Sequence, residues 1–560
     1  MNSLIKNLAK KSSFLKHFVR NYKCKTKQPS WSHLLNEDES LWASALHKAK
    51  GSQQILIATS VGSHLAGTTL ESTLAVSLTL RGIEIHVLLC DAVLQACLAC
   101  WSDIYPNHKR FAQDGPSRDC TVCFKPAYAM YNSLGLTVHP YSEFLSAEDI
   151  QEAARITASV PLKEIEHYSL KGIAIGEHAY AGTLRFYARG DLSNEPYSEI
   201  ILRRFFQASV ITTFAIQNAL KEYRFKAAVF HHGIYVPQGL IGEVCRREGV
   251  HVVNWNPGYR KHSFIFSHHD TYHHTMMSEP VEKWINIPWD EHREAELMDY
   301  LKSRWKGSRD WIWFHEKPRF DLKKIAEDFG IDLTQPCIGM LTSVLWDAVL
   351  HYPSNAFVNM LEWIFQTIDY FINRPDLQLI IRIHPAEIRG TLPARQRISD
   401  EIQKKYPELP KNIIVITPES NVSTYAVMQI CNAVIIYNTK TGIELAAMGT
   451  PVIVAGEAWL RNKGFAMEVD NPEAYFKVLD ALPFSQKMTD EAVLKAKQYA
   501  YHFFFRRMIP LEFMEPTGSN PPFKLDIRGL QDLMPGHSKG LDVICAGILD
   551  GSDFNYSPPV

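Results

Sequence analysis

The sequence predicts an α/β fold made of two Rossmann-like domains, and three observations predict it. Short β-branched apolar runs alternate with helical stretches, first near residues 55–91 and 226–266 and again over residues 337–464. That alternation marks a mostly parallel sheet covered by helices. The chain is 560 residues long, too long for one ordinary core, so two domains with elaborations are expected. Its composition, 46% apolar and 21% charged, is that of a soluble globular protein.

The elements follow in order. Residues 1–30 read as a basic N-terminal extension. Ile55–Thr59 is the first strand, and Gly62-Ser63-His64-Leu65-Ala66-Gly67 is the loop after it. Thr68-x-x-Glu71 reads as a capping box that opens a helix to Arg81. Gly82 stops that helix, and Ile83–Leu89 is a second strand ending at Cys90-Asp91. The full G-x-G-x-x-G fingerprint is absent, which disfavours a bound dinucleotide. Tyr197–Tyr223 is a long helix, Ala227–His231 a strand, Gly239–Glu248 a helix and His251–Trp255 a strand. The first domain thus spans residues 31–277. Residues 278–335, rich in Trp, Lys, Glu and Pro with a helical patch at His292–Lys302, read as a connector. The second domain opens with Cys337–Leu341 and spans residues 336–490, and residues 491–560 carry aromatic helix and loop segments.

Within the second domain, residues 379–464 concentrate the polar signal. Leu379–Ile383 is a buried-strand run with Arg382, His384, Pro385 and Glu387 at its carboxyl end. Val434–Tyr437 is another, followed by Asn438-Thr439-Lys440-Thr441-Gly442 where a helix, Ile443–Met448, begins. Gly449 ends that helix and Pro451–Ala455 starts the next strand. A helix start offers unpaired N–H groups that stabilise a bound phosphate, and Glu444 in its first turn is placed to accept hydrogen bonds from a ribose. Open α/β sheets bind ligands beyond the carboxyl ends of their strands, so two such polar ends predict a convergent donor site.

His384-Pro385 together with Thr439-Lys440-Thr441-Gly442 resembles the paired motifs of the GT-B glycosyltransferases of bacterial capsule and surface polysaccharide synthesis. The resemblance extends loosely through Thr342-Ser343-Val344-Leu345-Trp346-Asp347 and back to the strands near residues 226–266. It implies two Rossmann-like domains facing a cleft, and a C-terminal segment, residues 491–560, that returns to the first domain. It also implies a nucleotide-sugar donor, a glycan acceptor, and no catalytic metal. The donor would be held by Arg382, Glu387, Thr439, Lys440, Thr441, Gly442 and Glu444, with His384 stabilising leaving-group charge on the nucleotide phosphate.

Two further constellations lie in the first domain. Cys97-x-x-Cys100 and Cys120-x-x-Cys123, inside a Cys-rich insertion at residues 90–125, have the spacing of a four-cysteine metal site. The polar segment between them has little core of its own, so a structural zinc is expected. An iron–sulfur cluster is the alternative. His231-His232 follows a strand, as does Asn254-x-Asn256. His231, His232 and Asp91 are candidates for the base that deprotonates an acceptor hydroxyl, with His232 and Asp91 joining His384 as the catalytic set.

The formal net charge of −1 argues against a nucleic-acid partner, and no apolar run of about 18 residues predicts a transmembrane helix. Residues 1–27 hold many lysines, no acidic residue, and Leu4, Ile5, Leu8, Leu15 and Phe18 at helical spacing. They read as a frayed extension or as a basic amphipathic helix on an anionic membrane. The expected location is therefore cytoplasmic, with peripheral contact at the inner face of the plasma membrane. The sequence reading is a glycosyltransferase acting on a surface or capsular glycan. The alternatives are a polyol-phosphate transferase using a CDP-glycerol-like donor and a non-catalytic nucleotide- or carbohydrate-binding partner.

Overall fold

The computed structural model describes residues 13–307, 309–311, 314 and 317–558. The chain divides into two compact units. The first takes the chain up to Tyr187, Asp191–Tyr272 and Arg507 onward; the second takes Ala188–Gly190 and His273–Arg506. Residues 278–335 therefore belong to the second unit rather than standing apart, and the chain re-enters the first unit at Arg507 rather than at 491.

The first unit is built on β1 (Gln54–Ser60), β2 (Glu84–Leu89), β3 (Thr137–Pro140), β4 (Phe225–His231), β5 (His251–Pro257) and β6 (Ser263–His268). Their order is β3-β2-β1-β4-β5-β6, with the short strand Ile509–Pro510 at the β6 edge. β1 pairs in parallel with both neighbours, Ile55 opposite Ile85 on one side and Ala227 on the other. β6 reverses direction against β5. The apolar runs are continuous because both faces of a central parallel strand are buried.

Helix Leu65–Leu80 is buried along its whole length, so its polar residues need internal partners. Thr69, Thr73, Ser77 and Thr79 find them by donating to the carbonyl four residues back, at 2.7–2.8 Å. The helix starts at Leu65 with His64 at its cap, so Thr68 and Glu71 are not a capping box. They lie inside the helix, and Thr68 bonds the Leu65 carbonyl instead.

Residues 90–125 also differ from expectation. They are not a coreless loop: Leu94, Ala96, Cys100, Phe111 and Ala112 join the main apolar core of the unit. Cys120 and Cys123 lie on helix Ser117–Ser133. Against that helix lies another, Ser13–Thr26, with His17 Nδ1 3.0 Å from a carboxylate oxygen of Asp119. Cys24 on it is buried, while Phe18 and Tyr22 are exposed. Leu4, Ile5 and Leu8 lie outside the described residues. No helix among the described residues is long and apolar enough to cross a membrane.

The second unit is a wholly parallel sheet of β7 (Cys337–Leu341), β8 (Gln378–Arg382), β9 (Ile413–Ile416), β10 (Ala433–Ile436), β11 (Val452–Val454) and β12 (Met467–Glu468). The order is β12-β11-β10-β7-β8-β9. Trp363, Ile364, Ile368 and Phe371 of helix Met360–Ile372 pack on it in a core with Tyr475. The Tyr475 hydroxyl is matched with Thr367 at 2.7 Å and accepts from Trp363 at 3.2 Å, so this buried phenol is satisfied. In both units the first strand stands between the second and the fourth, which creates a topological switch point beside it.

Candidate functional site

In the second unit the switch point lies between β7 and β10, and three loops meet near it. Thr342 follows β7, His384 follows β8, and Asn438–Lys440 follow β10. The His384 backbone N–H reaches the Thr342 hydroxyl at 3.3 Å. The Ala386 N–H donates to His384 Nδ1 at 3.0 Å, which leaves the proton of the neutral ring on Nε2. Phe314 meets the imidazole edge-on at 5.3 Å, so the half-buried ring is held from two sides. Across the switch point, the Thr439 hydroxyl contacts Thr441 Oγ1 at 3.3 Å and accepts from the Thr441 N–H at 3.4 Å.

Gly442 is required for packing. A Cβ there would lie 2.6 Å from Leu460 Cδ2 and 2.7 Å from Ile436 Cδ1, and both of those side chains are fully buried. Gly442→Ala is expected to cost about 1–3 kcal/mol by overpacking. A shift in urea midpoint with unchanged slope would register this, and no shift would mean the core yields freely.

The remaining donor candidates have internal partners. Arg382 is buried, and its guanidinium donates to the carbonyls of Thr417 at 2.6 Å and Ser420 at 3.0 Å. It thereby braces the loop after β9. Burial, with Arg389 nearby, brings its pKa down to about 10. Glu387 accepts from the Ile398 N–H at 2.8 Å, at the start of helix Ile398–Lys405; burial raises its pKa to about 7.

Glu444 is fully buried. Its Oε2 accepts from Arg304 Nε at 2.9 Å and from the Tyr425 hydroxyl at 2.6 Å, and its Oε1 accepts from Lys440 Nζ at 3.0 Å. Burial by itself would raise its pKa, but Arg304 and Lys440 overcome that and hold it at about 2. Arg304 also pairs with Asp310 at 2.5 Å, and Tyr300 donates to the same carboxylate at 2.9 Å. With both oxygens occupied, Glu444 anchors a buried polar network, and a direct ribose contact does not fit this geometry. Arg304, Asp310, Tyr300 and Tyr425 were invisible to sequence reasoning. The first three lie in a stretch read as connector, and only the fold brings them to Glu444.

In the first unit the switch point lies between β1 and β4, and histidines gather there. His64 after β1 and His231 at the end of β4 meet with ring centroids 4.4 Å apart and planes tilted by 38°; the His232 ring centroid is 5.4 Å from that of His231. Gly67 permits this, since a Cβ would lie 2.6 Å from His64 Nδ1. Below them Glu71 accepts from the indole N–H of Trp255 at 2.9 Å. Burial, with Arg185 adding to it, lowers the pKa of His64 to about 4 and of His232 to about 3. Burial also holds His231 well below its ordinary value and raises Glu71 to about 7. The imidazoles are therefore neutral at pH 7, as a proton acceptor must be. His64 was missed as a candidate because its loop was read only as a turn. Asp91, after β2, is half-buried and accepts from the Ser142 N–H and hydroxyl.

The cysteines do not form a closed four-sulfur set. Cys97 and Cys100 have sulfurs 4.0 Å apart, but among the described residues no three of the cysteine sulfurs lie within 4.8 Å of one another.

Two Rossmann-type α/β units, each with polar side chains at the switch point of its sheet, place the chain in the doubly wound α/β class. Residues 347–509 match the family model described as capsule polysaccharide biosynthesis protein, so the resemblance carried by His384-Pro385 and Thr439–Gly442 stands, both motifs lying in the matched region. Solved structures similar to the chain include the KpsC β-Kdo 2,4 transferase of Thermosulfurimonas dismutans, at 13% identity over 49% of this chain and 79% of that one, TM-score 0.30. Sucrose-phosphate synthase from Thermosynechococcus elongatus is similar at 10% identity over 81% and 95%, TM-score 0.30. The UDP-GlcNAc 2-epimerase of Methanocaldococcus jannaschii is similar at 12% identity over 80% and 98%, TM-score 0.26. A comparison with curated protein sequences gives no match.

Proposed function

We propose that the chain is a glycosyltransferase that moves a sugar from a nucleotide-activated donor to a capsular or other surface glycan, with the donor held by the second unit. The observation that carries this reading is the gathering of Thr342, His384, Thr439 and Thr441 around the β7–β10 switch point, next to and within the region that matches the capsule model. Nucleotide phosphates are bound at such points by hydroxyl and N–H donors. In this reading His384 Nε2–H donates to a phosphate oxygen as charge develops on the leaving group, and Thr439 and Thr441 supply further donors. Lys440, tied to Glu444, contributes positive potential from beside the site.

Arg382, Glu387 and Glu444 act on the donor indirectly, by fixing the loops that present His384 and Thr441. The neutral His232, with His231 and His64, serves as the acceptor-side base, and Asp91 is the competing candidate. No catalytic metal is invoked, because protein donors meet the leaving-group charge. The exposed Phe18 and Tyr22 on a lysine-bearing helix support peripheral contact with an anionic membrane, where surface glycans are assembled.

The test is transfer itself. Purified protein is incubated with a panel of nucleotide sugars and a capsular oligosaccharide, and the products are read by mass spectrometry. Glycan extended by one sugar, with release of the nucleoside phosphate, supports the reading. Nucleotide binding with no transfer to any acceptor would favour a binding role instead.

A further inference from the structure

Cys97 and Cys100 bracket a tight turn, Leu98–Ala99, in the chain after β2. The Cys100 N–H closes the turn on the Cys97 carbonyl at 2.8 Å. A turn closed this way brings its end Cα atoms within about 7 Å, and a disulfide spans about 4.4–6.8 Å between Cα atoms. The two sulfurs already stand 4.0 Å apart. Side-chain rotation alone therefore separates this dithiol from a bond of about 2.0 Å.

The turn is held by its neighbours. The Leu98 N–H donates to the Val236 carbonyl at 2.7 Å, and the Leu98 carbonyl accepts from Arg185 Nη1 at 2.7 Å. Val236 lies in the loop that leaves β4 after His231 and His232, so the turn braces the first unit's switch point.

The two thiols are unequal, as exchange chemistry requires. Cys97 is half-buried and Cys100 is buried, so one sulfur can be reached while the other waits behind it. A hydrogen bond from Cys100 brings the Cys97 thiol below its ordinary value in spite of burial, and the Ala99 N–H, Arg20 and Arg185 add to that. Both guanidinium groups lie over the ring of Trp101, beside Cys100, at 5.8 and 5.5 Å. Burial pushes Cys100 well up, and its bond to Cys97 adds to the rise. Burial also raises Cys90, Cys120 and Cys123. Of these five thiols only Cys97 gains thiolate character, and the thiolate is the nucleophile.

We propose that Cys97 and Cys100 form a reversible dithiol–disulfide site that is oxidised by a low-molecular-weight disulfide of the glutathione class. The Cys97 thiolate attacks one sulfur of the small disulfide and expels the other half as a thiolate. Cys100 then gives its proton to solvent and attacks the Cys97 sulfur, expelling the second half. Two protein sulfurs are oxidised and one small disulfide is reduced to two thiols, with no other oxidant needed. The first step also prepares the second. Turning Cys97 into a neutral mixed disulfide removes the charge that opposes ionisation of Cys100.

The experiment treats the reduced full-length protein with oxidised glutathione at neutral pH, quenches it with acid and maps the peptides by mass spectrometry. The expected product is a Cys97–Cys100 disulfide with no glutathione retained, reversed by an excess of reduced glutathione. Cys100→Ser should retain glutathione on Cys97, and Cys97→Ser should leave Cys100 unmodified. Should these variants fail to fold, the reduced wild type decides: limiting iodoacetamide should label Cys97 at least about five-fold faster than Cys90 or Cys120. Free thiols at both positions after glutathione treatment would overturn the proposal. So would a disulfide joining Cys97 to Cys90, Cys120 or Cys123 instead, or Cys97 labelling no faster than the other thiols.

Discussion

Glu444→Ala is expected to destabilise the second unit by about 3–5 kcal/mol, the usual cost of removing one partner from a buried ion network. The carboxylate has no solvent exposure and is the shared acceptor of Arg304, Lys440 and Tyr425. Its loss removes the carboxylate that Lys440 and Arg304 share, in a place where water cannot compensate. Glu444→Gln should lose less, because the amide oxygen can still accept from Arg304. Urea unfolding followed by tryptophan fluorescence checks both, and a loss under about 1 kcal/mol for the alanine variant would place the network in water.

The same network sets an acid limit. The folded pKa of Glu444, about 2, lies below its ordinary 4.5, so the stabilisation it provides is fully present above about 4.5 and is lost as pH falls from there towards 2. Wild-type stability should therefore decline steeply across that window, and Glu444→Gln should flatten the decline.

The second large effect falls on turnover. His384→Ala is expected to lower the rate of sugar transfer about 10²–10³-fold, the range seen when a preorganised donor to developing charge is removed. The melting temperature should change little, because the ring is half exposed and its Nδ1 merely accepts from the Ala386 N–H. A loss of turnover that tracks a loss of folded protein would reduce His384 to a structural role. His384→Gln, which keeps a side-chain N–H donor, should recover part of the rate if donation to phosphate is what matters.

The sheets were legible because their strands are buried on both faces. Cys337–Leu341 was read with the bounds the structure gives, and Val434–Tyr437 and Leu379–Ile383 were read one residue late. Such runs have no competing helical period, so the sequence leaves little choice. Local pattern failed where tertiary packing set the outcome. Thr68 and Glu71 have the spacing of a cap, yet the helix extends back to Leu65, where the chain leaves β1. The polar segment between the two CxxC pairs folds around Phe111, whose burial depends on distant helices.

The candidate site divides in the same way. His384 and Thr439–Gly442 announce themselves because each lies at the end of a strand that is itself obvious. The partner of Glu444 does not, since Arg304 lies 140 positions upstream in a helix with no motif. Arg382 and Glu387 were placed correctly along the chain, but their hydrogen bonds run to backbone groups after β9 and at Ile398, and no sequence pattern marks those.

The central claim is that the β7–β10 switch point binds a nucleotide, and the most direct measurement is thermal unfolding of the purified chain with UDP, GDP, CDP, CMP, ADP or dTDP. A ligand that binds only the folded state raises the melting temperature. The account predicts a rise with one or two of these, abolished by His384→Ala and by Thr441→Ala while the ligand-free melting temperatures stay close to wild type. No rise with any nucleotide, or a rise that survives both substitutions, would contradict it.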